Sequence, residues 1–488
     1  YIFSMRHILI SGFILCSVIA NSQNEVDALR YSNIGFGGTA RSTSMAGAIS
    51  ALGADPSCSA INPAGFGRFT RSEFSFGLNY FDIQSNTSFN GSNSHGGRAN
   101  LNVANFALIG SSEPQNSEDW KRIQFGISYQ RYANFNNKIT INGDNNSSML
   151  DAFVAEANGT AEANLLDEKP FYSGPAYWAY LIDPISPGNN TYSSQIPDSR
   201  VHQTRSITRI GSIGETNFTL SGNYLDKLYF GGSIGLPSVR YQDKYSHEET
   251  PLDSSLSLTG FTFDESLVTR GLGINFKAGI LFSATEWLRL GLALHTPTGI
   301  GLSDRWSTTV SSEFSNGDQY SETSILGSYS YHLRTPGRVI FSTAFIIKKQ
   351  GSVSVDFERV NYSKAKLRAD KFETNPYPFT LENNAVLTNY QSASNIRIGA
   401  EWRFIPIYLR AGYAIYGTPF KNGVSISDAS RTYITGGVGY RNRIFYVDLA
   451  YVNGKWKEDY YMYNAALTNP AQVSNTTHSI VLTAGINF

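Results

Sequence analysis

The residue types that do chemistry are sparse and scattered along this 488-residue chain. Beyond the N-terminal segment the histidines are His95, His202, His247, His295, His332 and His478, never at the i, i+3 or i+4 spacing by which a helix presents two imidazoles to one metal. Ser479 beside His478 is the only adjacent pair suggestive of an acyl-transfer site, and a nucleophile needs its base and an orienting group converging in space, so chance explains the pair. Gly35-x-Gly37-Gly38 lacks the preceding strand and the lysine of a phosphate-binding loop. Cys58, the one cysteine outside the N-terminal segment, permits no internal disulfide and reads as a packed small hydrophobe. No enzyme, metal, haem or other cofactor has a motif behind it.

Charged residues carry a different message. Arg289, Asp356, Glu358, Arg397, Glu401, Arg403, Arg410 and Asp448 each alternate with apolar neighbours. Side chains in a strand point to opposite faces in turn, so the pattern puts these charges on one wall and aliphatic residues on the other. Isolated buried ions are very costly, so the charges are expected to form a ladder of salt bridges on an inward face.

The elements that must position them follow the same period of two. Leu288, Leu290, Leu292 and Leu294 oppose Arg289, Gly291, Ala293 and His295; Ile480, Leu482, Ala484, Ile486 and Phe488 oppose Ser479, Thr483, Gly485 and Asn487. Strands are predicted at 72–84, 100–112, 121–142, 204–224, 227–247, 259–284, 286–312, 320–349, 351–371, 385–404, 406–420, 429–442, 443–462 and 475–488. Connections are tight at Leu225-Asp226, Thr285, Gln350 and Ile405-Pro406, and long at 143–203, 248–258, 372–384 and 463–474. Short turns alternating with long loops, and an even strand count, predict an all-β fold: a fourteen-stranded antiparallel transmembrane β-barrel.

Composition agrees. The chain holds 29 Tyr, 30 Phe and 44 Gly, with 39 basic and 39 acidic residues, so no charge excess points to nucleic acid. Arg6, the apolar stretch Ile8–Ile19 and Ala20-Asn21-Ser22 predict a signal peptide over 1–22, with the residues before Met5 an upstream overhang. That stretch is shorter than the ~20 residues of a spanning helix. An exported, cysteine-poor, aromatic-rich chain points to a bacterial-type outer membrane, with membrane lipids and the barrel-assembly machinery, which reads a terminal aromatic such as Phe488, as partners.

Fourteen strands enclose more space than their side chains fill. Residues 23–70 are expected to plug it, ahead of a barrel over 71–488. Ser42 is placed as the cap of a short helix with Met45, Ile49 and Leu52 on one face, stopped by Gly53, and Asn62-Pro63 is a turn signal. This stretch, from Gly38 to Gly65, resembles the start of the FadL and TodX family of outer-membrane hydrocarbon transporters, whose plug, or hatch, ends in an Asn-Pro-Ala motif. Asn62, Pro63 and Ala64, followed by Gly65, match it. Trp287–Pro297 and Phe125–Tyr129 are similar to further family strands, while loop 143–203 is an insertion without a residue-by-residue match to the family's capture groove. The resemblance implies a plugged fourteen-stranded barrel that takes up long-chain fatty acids or other hydrophobic small molecules and releases them sideways through a gap in the third strand.

Two regions are where such a function would leave traces. In the long loop, Met149, Leu150, Phe153, Val154 and Ala157 fall on one helical face, and Phe171, Tyr172, Tyr177, Trp178 and Tyr180 follow. An outward loop this apolar either packs on the barrel rim or captures ligand. In the third strand, Ile123, Phe125, Ile127 and Tyr129 face lipid, Gln130 and Tyr132 face inward, and Arg131 lands on the lipid side. Either Arg131 snorkels to the interface, or a bulge across Gln130–Asn134 turns it away and opens the wall. Passive uptake by external capture, hatch movement and lateral exit is the reading that the residues and the resemblance together favour. A partner subunit of a protein-secretion machine, a general porin and a Ser479-dependent lipase are the alternatives.

Overall fold

A computed structural model describes residues 25–488 except 116, 349, 375 and 425–427; the expected signal peptide lies outside the described residues. The wall is a closed antiparallel barrel of fourteen strands. In chain order they are β1 (Glu73–Phe89), β2 (Ser92–Ser112), β3 (Trp120–Asn134, continued by Asn137–Asn145), β4 (Val201–Tyr224), β5 (Leu228–Pro251), β6 (Leu258–Ser283) and β7 (Leu288–His295, continued by Gly299–Phe314). Then come β8 (Gln319–Thr323, Gly327–Arg334 and Arg338–Ile347), β9 (Gly351–Asn361, with an outlying piece Lys366–Ala369), β10 (Ser392–Phe404), β11 (Ile407–Tyr416), β12 (Arg431–Arg441), β13 (Phe445–Tyr460) and β14 (Ala471–Asn487). β14 pairs with β1 from Glu73↔Asn487 to Ser88↔Gln472, which leaves no free edge.

Alternation fixes which way each strand faces. Leu290, Leu294, Ile480, Leu482 and Ile486 are exposed on the outside, where lipid would cover them, while Ala293, Val481 and Thr483 between them are buried inward. The strand pattern departs from sequence expectation in several places, among them the expected strands 121–142 and 351–371, which break at 135–136 and at the 3-10 turn Tyr362–Lys364. Residues 385–389, expected to open a strand, belong to a helix, Thr380–Asn389, and β10 starts at Ser392. The two segments expected to run unbroken over 286–312 and 320–349 are interrupted at Pro297 and Pro336, which cannot donate to a ladder. Threonines mend that break: the Thr298 amide donates to Thr335 Oγ1 (3.2 Å), the Thr335 amide to the Thr298 carbonyl (2.9 Å), and the Phe276 amide to Thr296 Oγ1 (3.0 Å). The first hairpin also extends further than expected, turning only at Asn90-Gly91.

Inside the barrel lies the hatch: α1 (Glu25–Arg30), α2 (Ala40–Ser44), α3 (Cys58–Ile61) and a 3-10 helix, Pro63–Arg68. The cap of α2 is Thr39, whose Oγ1 accepts from the Ser42 amide, rather than Ser42 itself; the helix ends at Ser44, so Ile49 and Leu52 sit in the turns beyond it. Met45, Ile49, Leu52, Cys58, Ile61 and Phe66 still pack as one buried cluster against Ala107, Ile109, Ala293 and Ile340 of the wall. At the N-terminal end of the hatch, Ala28 and Tyr31 share a second apolar cluster with Tyr241, Ile300, Tyr331 and Phe379.

Outside the long-loop end, α4 (Met149–Ala157), α5 (Leu165–Glu168) and α6 (Ser173–Trp178) form a cap. Ser148 and Asp151 make a reciprocal capping box at the start of α4.

Candidate functional site

The Asn-Pro-Ala turn is held by its own side chain and by the wall. Asn62 Oδ1 accepts from the Ala64 amide (3.2 Å), and Nδ2 donates to the Ser50 carbonyl (3.1 Å). Pro63 and Ala64 lie against Gly231 of β5, where an added Cβ would stand 2.3 Å from the Pro63 carbonyl carbon; Gly279 of β6 faces Asn62 as closely. Gly65 allows the same closeness to Cys58, a buried free thiol.

The inward charges divide into two groups, both tied to the hatch. Arg397 approaches Asp356 (3.6 Å) and Glu358 (3.4 Å), and Glu358 also receives Arg338 (3.1 Å). Asp356 in turn accepts from the Ser50 hydroxyl and amide of the hatch. In the second group Glu401 gathers Arg403 (3.2 Å), Arg410 (2.8 Å) and hatch residue Arg41 (3.0 Å), while Asp448 takes Arg410 (2.7 Å) and Arg441. Arg289 is inward but stands apart from this ladder: its guanidinium donates to the Leu52 carbonyl at 3.2 Å. Arg41 also donates to the carbonyls of Gly53 (3.2 Å) and Ala54 (2.8 Å), so three successive hatch carbonyls are held by two arginines. Sequence reasoning missed Arg41, Arg338 and Arg441; the one usable signal was a lone arginine in a run of small residues.

The wall is discontinuous between β2 and β3. Their ladder runs from Ser112↔Ile123 to Asn105↔Gln130 and goes no further. On the other side of β3 the register with β4 shifts between Arg131 and Ala133, which leaves Tyr132 as the extra residue. β2 shifts at the same level: Gly77 pairs with Asn105 and Leu78 with Val103, leaving Ala104 unpaired. Beyond Gln130, side chains bridge the two strands: Arg131 Nε donates to the Val103 carbonyl (3.3 Å) and Asn134 Nδ2 to Asn100 Oδ1 (3.1 Å). Tyr132 points inward, its hydroxyl 3.0 Å from Glu215, which is paired with Lys277. The hatch lies directly behind. The Gly35 amide donates to the Tyr132 carbonyl (3.4 Å), and a Cβ on Gly37 would fall 2.1 Å from the Arg131 carbonyl oxygen. Behind the bulge a small cavity of about 60 Å³ is lined by Gln130, Tyr132, Glu215, Lys277, His295 and Arg338, together with apolar hatch residues such as Ile34 and Phe36.

The external aromatics separate by burial. Phe153 is fully buried and Tyr172 stacks on Phe263 (5.7 Å), with Val154 half-buried beside them. Phe171 packs on Trp306 (5.3 Å) and Tyr177 bonds Glu162. Of the aromatics in loop 143–203, only Trp178 (52 % exposed) and Tyr180 (49 % exposed) present large open faces, and Tyr180 contacts Tyr320 of β8 with ring centres 4.4 Å apart. Burial pushes the Tyr172 hydroxyl well above its usual range, with Glu265 adding to the shift.

Among the described residues no group of three or more His, Cys, Asp or Glu could hold a metal, and no helix is long and apolar enough to cross a membrane. Ser479 and His478 are neighbours on one strand and so point to opposite faces; His478 Nδ1 meets the Tyr451 hydroxyl at 2.7 Å.

The geometry defines a plugged fourteen-stranded barrel of the outer-membrane type. The solved structures that share this fold are channels and transporters rather than enzymes. A Pseudomonas aeruginosa FadL homologue superposes with a TM-score of 0.59 at 13% identity, over 93% of this chain and 99% of that one. The Pseudomonas putida toluene transporter TodX gives 0.56 at 13% identity, over 93% and 99%. The Ralstonia pickettii toluene transporter TbuX gives 0.50 at 16% identity, over 93% and 98%. No protein-family model and no curated protein matches the sequence, so the likeness to the FadL and TodX barrels is one of fold.

Proposed function

We propose that this chain carries hydrophobic small molecules, long-chain fatty acids or similar hydrocarbons, across an outer membrane without an energy source. The short-turn end then faces the periplasm and the capped end the outside. Trp178 and Tyr180 offer cargo its first apolar contact, the cargo enters the upper lumen, the hatch shifts, and the cargo leaves sideways between β2 and β3. The observation that carries this reading is the end of the β2–β3 ladder at Gln130, with Tyr132 and Ala104 both unpaired and hatch glycines packed behind them. Ladder bonds are what close a barrel wall to lipid, and here side-chain contacts replace them. A sideways path suits the cargo. Each buried methylene is worth about 0.8 kcal/mol, so a long alkyl chain leaves slowly into water and readily into a bilayer. The buried hatch argues against a general porin. The fold shared with a FadL homologue and with toluene transporters supports the cargo class.

The test is a reversible staple across the gap. Cysteines replacing Asn100 and Asn134, whose side chains meet across it, are oxidised in the Cys58→Ser background, and uptake of a fluorescent fatty acid is followed in cells. Uptake that stops on oxidation and returns on reduction is the expected result. Full uptake through the stapled wall would refute lateral exit here.

A further inference from the structure

Three arginines whose charges act on one another lie at the short-turn end of the barrel, the periplasmic side in the orientation proposed above. Arg68 closes the 3-10 helix of the hatch, Arg289 is the second residue of β7, and Arg403 is the last but one of β10. Arg289 and Arg68 flank the same hatch turn: the first donates to the Leu52 carbonyl at 3.2 Å, and the Cδ of the second lies 2.7 Å from where a Cβ on Gly53 would be. Arg68 also donates to the Tyr229 hydroxyl (3.1 Å), with its guanidinium 5.3 Å from that ring's centre.

Neither Arg68 nor Arg289 makes an ion pair among the described residues. Glu401, the carboxylate nearest Arg403, is already shared by Arg41, Arg403 and Arg410. Asp226, which acts on Arg68 from a distance, accepts from Asn223 Nδ2 at 2.7 Å. Both uncompensated arginines are half-buried rather than free in solvent, so water screens their mutual repulsion only in part. A small anion between them would relieve that repulsion, and the guanidinium fork matches the paired oxygens of a carboxylate or phosphate.

We propose that Arg68 and Arg289, with Arg403 at the margin, form an anion site on the periplasmic floor that takes a carboxylate or phosphate group, free or as the head of an amphiphile. The site stands apart from the lateral gap and does not depend on the transport route. The experiment uses the whole mature chain in non-ionic detergent. Inorganic phosphate, dodecanoate and dodecyl phosphate are titrated separately, and arginine modification by phenylglyoxal is mapped by mass spectrometry. Saturable protection of Arg68 and Arg289 is expected. Protection by phosphate alone identifies a free-anion site; protection only by the two amphiphiles identifies a head-group site. In the Arg68→Gln/Arg289→Gln variant, checked for folding by heat-modifiable gel migration, affinity read by isothermal titration calorimetry should fall about tenfold or more, whereas Lys227→Gln, an exposed cation at the same end, should leave it unchanged. If the double variant does not fold, protection in the parent decides. Absence of saturable protection by all three ligands, or affinity untouched in a folded double variant, would overturn the site.

Discussion

Arg41 and Glu401, 360 positions apart in the sequence, meet at 3.0 Å inside the barrel. The hatch is thereby fastened to β10 through a carboxylate that also holds two wall arginines, Arg403 and Arg410. Removing one partner of a buried ion pair typically costs about 3–5 kcal/mol, and less where other partners remain. Arg410→Leu, which deletes the guanidinium that bridges Glu401 and Asp448 and leaves them Arg41, Arg403 and Arg441, should therefore lower the temperature at which the barrel unfolds in detergent, as read from heat-modifiable migration. A variant that melts like the parent would show that water compensates these charges.

A larger residue at position 37 tests the contact between hatch and wall. The first side-chain carbon of Gly37→Ala would fall 2.1 Å from the Arg131 carbonyl oxygen, closer than any stable contact. The hatch segment must back away from the bulge. The expected outcome is faster entry of a hydrophobic dye with the barrel fold intact by circular dichroism. Unaltered dye entry would mean that this contact does not limit passage.

The exposed pair on the cap gives a third test. Trp178→Ser with Tyr180→Ser removes the open aromatic faces and leaves Phe153, Phe171 and Tyr172 in their packed positions. Uptake at limiting probe concentration should fall several-fold, while saturating probe restores much of it. By contrast, Phe153→Ala should loosen the whole cap, at about 3–5 kcal/mol for a fully buried ring, and expose it to protease.

The cap should also respond to pH. Glu156 on α4 accepts from the Ser173 amide (3.1 Å) and hydroxyl (2.8 Å), yet burial outweighs these bonds and raises its carboxyl above the usual range. The native cap then holds this proton to a higher pH than the unfolded loop does. Within that interval the native state binds more protons, so cap stability falls as pH rises. Limited proteolysis across the acidic to neutral range should cut the cap faster towards neutrality, and Glu156→Gln should flatten that dependence. A variant with the parent's profile would assign the effect to another group.

The wall was legible because each strand repeats one simple contrast. Leu288–Leu294 against Arg289–His295 needs no distant partner to be read, and fourteen such segments with alternating connections specify closure. The fold that the residues and the resemblance implied is the fold found. What stayed hidden depends on partners far along the chain. Arg41 looks like any arginine until Glu401 is beside it, and Arg289 looks like its ladder neighbours until the Leu52 carbonyl is found in its place. The unpaired Ala104 carries no local signal at all, since only the register of β1 against β2 makes it extra. Pro297 and Pro336 were plain in the sequence, but the threonines that bridge the interruption allow the apolar rhythm to resume on each side. Residues 385–389 were misread because a short polar helix and the approach to a strand look alike at that length.

The direction in which the hatch is tethered sets an order of events during biogenesis. The hatch precedes every wall strand in the chain, yet much of what grips it comes late. Asp356 of β9 binds Ser50, Glu401 of β10 binds Arg41, Thr435 of β12 donates to the Ser44 carbonyl at 2.8 Å, and Thr483 of β14 accepts from the Ala40 amide at 2.9 Å. Contacts of such long sequence separation form late, after the intervening chain has been ordered. A barrel arrested before β9 therefore holds a hatch without these moorings and with Arg41 lacking Glu401, and the strand that zips the cylinder shut, β14, is also the one that adds the last of them, the Ala40–Thr483 bond.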